Sequence, residues 1–198
     1  MVGREDWWCR SMASGGESER PATSRALLLS GAPGVGKTTI IQKVAHQLSA
    51  YELRGFFTEE IREGGVRKGF KLISFDGQSS VLAHVDFSSR FRVGKYGVNV
   101  AGLEETAASL LQSDPPADLY IIDEIGKMEC FSDRFRSGVR RLLDTDRLVV
   151  ATVAQHGAGF IVEVKERPDA AVWEVTRSNR EVLPERVIEW VRARLLRD

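Results

Sequence analysis

The chain reads as an α/β protein: a mostly parallel central sheet flanked by helices, with an antiparallel hairpin added at one side. Three observations predict this. Short apolar runs alternate with amphipathic helical stretches, as parallel strands joined by crossover helices do. The first run opens directly onto a glycine-rich loop and a helix, at Gly31–Thr39. Residues 55–87 break the alternation with strand-like stretches separated by glycine turns, the mark of local antiparallel pairing.

Taken in order, residues 1–24 carry no hydrophobic period and are rich in Ser, Gly, Glu and Arg. A disordered leader is expected there, with the folded domain over 25–198. Trp7, Trp8 and Met12 are the leader's candidates for packing or for meeting a partner. ALLLSG, from Ala26 to Gly31, is a buried parallel-type strand. A helix from about Lys37 to Ala50 follows, with Ile40, Ile41, Val44, Ala45 and Leu48 on one face. GFFTEEIR (55–62) and VRKGFKLISF (66–75) form a hairpin around Gly64-Gly65, and 80–87 supplies a third strand. A short strand within 95–102 precedes a helix over about 103–112. LYIID, from Leu119, is a buried strand, and Ser132 caps a helix carrying Phe135, Val139, Leu142 and Leu143. RLVVATVA (147–154) is the next strand, with a short helix over 159–167 and a strand over 171–176. Pro184 suits the first turn of a last helix that buries Val187, Ile188, Val191 and Leu195.

Composition narrows the function. The 198 residues balance 28 basic against 28 acidic side chains, which disfavours duplex nucleic acid as a partner. No apolar run reaches the roughly 20 residues of a membrane span, so no membrane partner is expected. Two cysteines far apart, Cys9 and Cys130, suit a reduced, cytoplasmic chain better than a disulfide scaffold. His46, His84 and His156 lack metal-ligand spacing. A monomer is favoured.

The loop GAPGVGKTT matches GxxxxGK[ST] in the required context, after a strand and before a helix. Its glycines let the backbone wind around an anion, and the helix start adds partial positive charge. The nucleotide-binding segment is therefore Gly31, Ala32, Pro33, Gly34, Val35, Gly36, Lys37, Thr38 and Thr39, although Thr39 also suits a plain helix-start role. Lys37 can reach the β- and γ-phosphates, and the Thr38 hydroxyl can ligate Mg²⁺.

Such a loop needs an acid on a neighbouring strand for the hydrated metal. Asp123 ends an apolar strand about 85 residues downstream. Glu124, directed to the other side, can orient or deprotonate a water at the γ-phosphate. Gly126 permits a bend that turns Lys127 either back towards the phosphates, as a cation offsetting developing charge, or out to solvent. Glu129 has no assignable role. Thr58, Glu59, Glu60 and Arg62 either line the site or form the wet face of an edge strand. Arg92, Lys95 and Tyr96 flank loop glycines, within reach of phosphate or base or in solvent. Asn179 and Arg180 follow a strand at the edge where a base would lie, with helix capping the rival role for Asn179.

GAPGVGKTT, GFFTEEIREGG with KGF, VGKYGVNV, IIDEIGKME and VTRSNR, in this order and spacing, resemble the small P-loop nucleoside-triphosphatases of thermophilic bacteria and archaea, whose human member is the cancer-related nucleoside-triphosphatase. The resemblance runs from about Arg25 to the C-terminus. It implies a P-loop NTPase fold and slow, Mg²⁺-dependent hydrolysis of nucleoside triphosphates with little base preference. It also implies Gly31–Thr38 as the phosphate loop, Asp123 as the metal-side acid, Glu124 as the catalytic carboxylate and Lys127 as a supporting cation. The leader has no counterpart in the pattern, and AQHGAGFIVEVKER matches it loosely. Two other functions share these motifs. A nucleotide or polynucleotide kinase needs an acceptor site and usually an arginine-rich lid, for which EGGVRKGF is a weak candidate. A nucleotide-dependent switch or partner-binding module would use slow turnover for timing, although the chain lacks an N/T-K-x-D guanine-reading motif.

Overall fold

A computed structural model describes residues 24–110 and 116–196. The expected leader lies outside the described residues except for Ser24, which is buried and accepts a hydrogen bond from Arg194 Nε at 2.6 Å through its carbonyl oxygen. In chain order the elements are β1 (Ala26–Gly31), α1 (Lys37–Gln47), β2 (Leu53–Glu63), β3 (Val66–Ser74), β4 (Ser79–His84), β5 (Arg92–Val93), β6 (Tyr96–Val98), α2 (Val100–Leu110), β7 (Leu119–Ile125), α3 (Asp133–Leu143), β8 (Val149–Ala154), α4 (Phe160–Lys165), β9 (Ala170–Glu174) and α5 (Leu183–Leu195), with a 3₁₀ turn at Glu129–Phe131.

The described strands form one sheet in the order β5-β6-β4-β3-β2-β7-β8-β1-β9. From β2 to β9 every neighbour is parallel; from β2 to β5 every neighbour is antiparallel. Strand β2 therefore belongs to both halves, its first residues pairing with β7 and its length with β3. Gly55 sits at this junction with φ 114°, and a side chain there would place its Cβ 1.8 Å from the Ile121 carbonyl oxygen. Only glycine fits so close a backbone approach.

Side chains alternate across each strand, so the apolar runs face both ways. Leu27, Leu29, Leu119 and Ile121 pack on one side with Ile40, Ile41 and Val44 of α1 and Val187, Ile188 and Val191 of α5. Leu28, Tyr120 and Ile122 pack on the other with Leu103 of α2, Phe135 and Val139 of α3, and Phe160 and Ile161 of α4. The result is a three-layer α/β/α body, and it explains why the parallel strands read as continuous apolar runs.

Several boundaries differ from the sequence reading. Helix α1 ends at Gln47 rather than Ala50, where the Tyr51 amide turns back to the Leu48 carbonyl. Strand β4 stops at His84 rather than residue 87, because the Phe87 amide donates to His84 and closes a turn. The single short strand expected after Lys95 is half of a β5–β6 hairpin. Helix α2 begins at Val100, earlier than expected, because Asn99 Oδ1 accepts the Gly102 amide at 3.0 Å and caps it. The Ser132 cap is present as expected, its Oγ accepting the Phe135 amide at 3.0 Å. No helix among the described residues is long and apolar enough to cross a membrane.

Candidate active site

The carboxyl ends of β1, β7 and β8 lie side by side, where ligands collect in open α/β sheets. The loop after β1 delivers Lys37 as the first residue of α1. Gly34 and Gly36 take φ of 73° and 115°, left-handed conformations that L side chains rarely adopt. Buried Val35 anchors the loop in the core, while Ala32, Pro33 and Gly34 are exposed. No side chain caps α1, so its first amides and the positive end of its dipole are turned to the loop. Thr38 is half-buried and Thr39 exposed on the first helical turn.

Lys37 is only 8% exposed. Its ammonium donates to the Gly31 carbonyl oxygen at 3.0 Å and pairs with Glu124 Oε1 at 3.4 Å. This links the loop to the second motif across more than 80 residues of sequence.

Strand β7 reaches the site through a bulge. Ile122 faces Ala151 and Ile125 faces Val153, so Asp123 and Glu124 together oppose the single residue Thr152 of β8. Such a bulge re-aims side chains at a strand end. Asp123 is 1% exposed. Its Oδ1 accepts the Thr152 hydroxyl at 2.6 Å, and its Oδ2 accepts the Thr58 hydroxyl at 3.1 Å and the Thr58 amide at 3.3 Å. Among the described residues no salt bridge reaches this buried carboxylate. Glu124 is a third exposed, and burial raises its carboxyl above the usual range although Lys37 pulls the other way.

A cavity of about 430 Å³ opens in front of the loop. Lys37, Glu124, Thr58 and Lys127 give it polar lining, and Phe70, Leu82 and Val93 from the antiparallel strands give it apolar lining. Lys127 is exposed, and Gln155 and His156 of the loop after β8 also line the cavity. A larger recess of about 680 Å³ between His46, Tyr51, Arg54 and Asp76 lies towards the amino ends of the parallel strands and holds none of these groups.

Arg180 lies against the loop, its Cδ 3.7 Å from where a Gly36 side chain would begin, and it pairs with Glu181 at 3.3 Å. Asn179 is tied to its own loop: Oδ1 accepts the Thr176 amide and Nδ2 donates to the Glu174 carbonyl, both at 2.8 Å. Of the hairpin polar residues, only Thr58 turns to the site. Glu60 pairs with Arg62 and Arg67, and Glu59 pairs with Lys71 at 2.9 Å, a surface network along the strand. Arg92 donates to the carbonyls of Lys95 and Phe87, and Tyr96 is buried.

Sequence reasoning missed two residues here. Thr152 had a signal, as the lone hydroxyl in a buried apolar strand. Glu129 had none: it is 5% exposed, lines the cavity, and accepts the Gly126 amide at 3.1 Å. Burial, with the charges of Glu124 and Asp123, pushes its carboxyl up to about 8.

The folded unit also has known counterparts. A family model described as NTPase matches residues 26–188. Nucleoside-triphosphatase THEP1 of a Thermotoga species is 45% identical over 158 residues, covering 79% of this chain and 90% of the relative. The crystal structure of THEP1 from Aquifex aeolicus superposes with a TM-score of 0.76 at 36% identity, over 84% of this chain and 98% of that one. The solution structure of a human cancer-related nucleoside triphosphatase gives 0.74 at 34% identity, over 86% and 98%. Match length, identity and shared fold agree with the motifs, and the chain belongs to the NTPase family.

Proposed function

We propose that the protein hydrolyses nucleoside 5′-triphosphates, ATP, GTP and others, to the diphosphate and phosphate with the aid of Mg²⁺. The observation that carries the reading is the position of Glu124, a carboxylate 3.4 Å from the phosphate-loop lysine and open to the cavity. The names of the relatives support the same activity, and nothing in the cavity favours a kinase or switch over it. Gly31–Thr38 hold the triphosphate through backbone amides, and Lys37 leaves Glu124 for the β- and γ-phosphates. Glu124 then orients a water on the γ-phosphorus and accepts its proton. The water oxygen bonds to phosphorus as the bond to the β-phosphate oxygen breaks, and the diphosphate leaves. A carboxyl raised by burial is the better base near neutral pH. Lys127, which lines the same cavity, offsets charge developing on the γ-phosphoryl group.

The donor set fits a hard divalent cation. Asp123 is a buried carboxylate without a salt-bridge partner among the described residues, and the Thr38 hydroxyl is a second oxygen donor. Among those residues no cluster of three or more His, Cys, Asp or Glu forms a protein cage, which suits an ion held largely by phosphates and water. When bound, Mg²⁺ supplies charge neutralisation on the phosphates. Thr58 and Thr152 hold Asp123 ready for it. Arg180 and Asn179 border the base side; the Asn179 amide is tied to its own loop, which leaves few groups to discriminate between bases.

Replacing Glu124 with Gln tests the reading. Nucleotide affinity should persist while phosphate release falls about 10²–10⁴-fold. Turnover that survives the substitution removes Glu124 from the reaction.

A further inference from the structure

Glu129 is an acidic side chain buried beside the site, and the reaction proposed above leaves it without work. It opens the 3₁₀ turn that follows the Gly126–Met128 loop. Its Oε2 accepts the Gly126 amide at 3.1 Å, and the Cys130 amide closes the same loop by donating to the Gly126 carbonyl at 3.0 Å. Gly126 is thus held at both its amide and its carbonyl. A Cβ at Gly126 would lie 2.9 Å from Glu129 Oε2 and 3.6 Å from Cγ and Cδ of Glu124. The missing side chain lets the two glutamates approach across one backbone unit. Lys127 is the next residue, and Glu124, Lys127 and Glu129 all line the cavity. Among the described residues no salt bridge reaches Glu129; backbone amides hold its carboxyl, its own and that of Gly126.

We propose that Glu129 is a positioning residue, whose carboxyl clasps the Gly126 amide and so fixes the turn that presents Lys127 beside Glu124. The inference rests on the hydrolase reading and adds a residue to it. A flexible lysine on a glycine loop samples many positions, and offsetting transition-state charge requires one. The clasp needs an acceptor and no charge. A neutral side chain of the same length serves, because an ionised carboxylate here would face Glu124 and Asp123. The ground-state triphosphate is held by the phosphate loop, which Glu129 does not touch. Its loss therefore lowers kcat more than it raises KM.

The experiment is a cycle in the full-length protein with ATP and Mg²⁺: wild type, Glu129→Ala, Glu129→Gln, Lys127→Ala and Lys127→Ala/Glu129→Ala. Glu129→Ala should lower kcat roughly 10-fold or more with KM within about threefold. Glu129→Gln should restore kcat to within about threefold of wild type. In the Lys127→Ala background, Glu129→Ala should cost nothing further, because neighbours acting through one group are non-additive. If Glu129→Ala does not fold, Gly126→Ala replaces it: its Cβ would displace the Glu129 oxygen, and it should give the same kcat loss and the same silence without Lys127. A Gln variant as defective as Ala, or losses that add to those of Lys127→Ala, overturns the proposal. Lys37→Ala run in parallel separates the two readings. Activity surviving that change sinks the phosphate site itself, whereas its loss alongside unaffected Glu129 variants sinks only the clasp.

Discussion

Glu129 should make the protein less stable as pH rises, and Glu129→Gln should remove the effect. An unfolded glutamate ionises around its ordinary value of 4.5, whereas burial and the charges of Glu124 and Asp123 hold the folded carboxyl up to about 8. Between those values the folded state binds the extra proton, so stability falls as pH increases through the window and is level above it. The window spans roughly 3.5 pH units at about 1.36 kcal/mol each, a ceiling of about 5 kcal/mol, of which about 4 lies between pH 5 and 8. Gln keeps the length and the acceptor for the Gly126 amide but cannot ionise. Urea unfolding followed by circular dichroism at pH 5, 6, 7 and 8, without nucleotide or Mg²⁺, measures both proteins. Glu124 is raised as well, but both proteins share it, so the difference between them isolates Glu129. The advantage of Glu129→Gln should grow by several kcal/mol across the series. Parallel pH curves for the two proteins would refute the buried, proton-holding state of Glu129.

Two further substitutions probe the scaffold. Gly55→Ala should destabilise by about 3 kcal/mol or more, since φ 114° must be held while the Cβ meets the Ile121 carbonyl oxygen at 1.8 Å; a melting temperature within about 2 °C of wild type would contradict that packing. Thr152→Val keeps the shape of β8 but removes the hydroxyl that donates to Asp123 at 2.6 Å. It should cost about 1.5–3 kcal/mol in denaturant unfolding and raise the Mg²⁺ concentration needed for half-maximal turnover; an unchanged value of both would show that Asp123 does not depend on β8.

The phosphate loop and the strands around it were legible because their physics is local. A loop such as Gly31–Thr38 is defined by consecutive amides, glycines at set places and a helix beginning at once. The buried strands announced themselves because a parallel strand covered on both faces must be apolar along its length. The Asp123–Glu124 pair was visible as charge closing an apolar run; the strand expected to end at Asp123 instead continues through the pair to Ile125, bulging at the two acids. The hairpin was legible as strands split by glycine turns, but not that Thr58 would turn to Asp123 while Glu60 joined a surface network, since both faces of β2 carry polar residues.

What only the tertiary structure decided is how these groups act on one another. The bulge that sets two residues of β7 against Thr152, the 3.4 Å pairing of Lys37 with Glu124, and the hold of two threonines on Asp123 all join segments far apart in sequence. Glu129 is the sharpest case. In the sequence it is one more acid in IIDEIGKMEC, and its burial depends on the β-strands, the 3₁₀ turn and the second glutamate that surround it. The energy of a charge depends on the medium and the other charges near it, and residue order alone specifies neither. The sequence by itself determined the fold class and pointed to the glycine-rich loop and the acidic pair; the structure decided that two threonines hold Asp123, that Glu124 pairs with Lys37, and that Glu129 is buried.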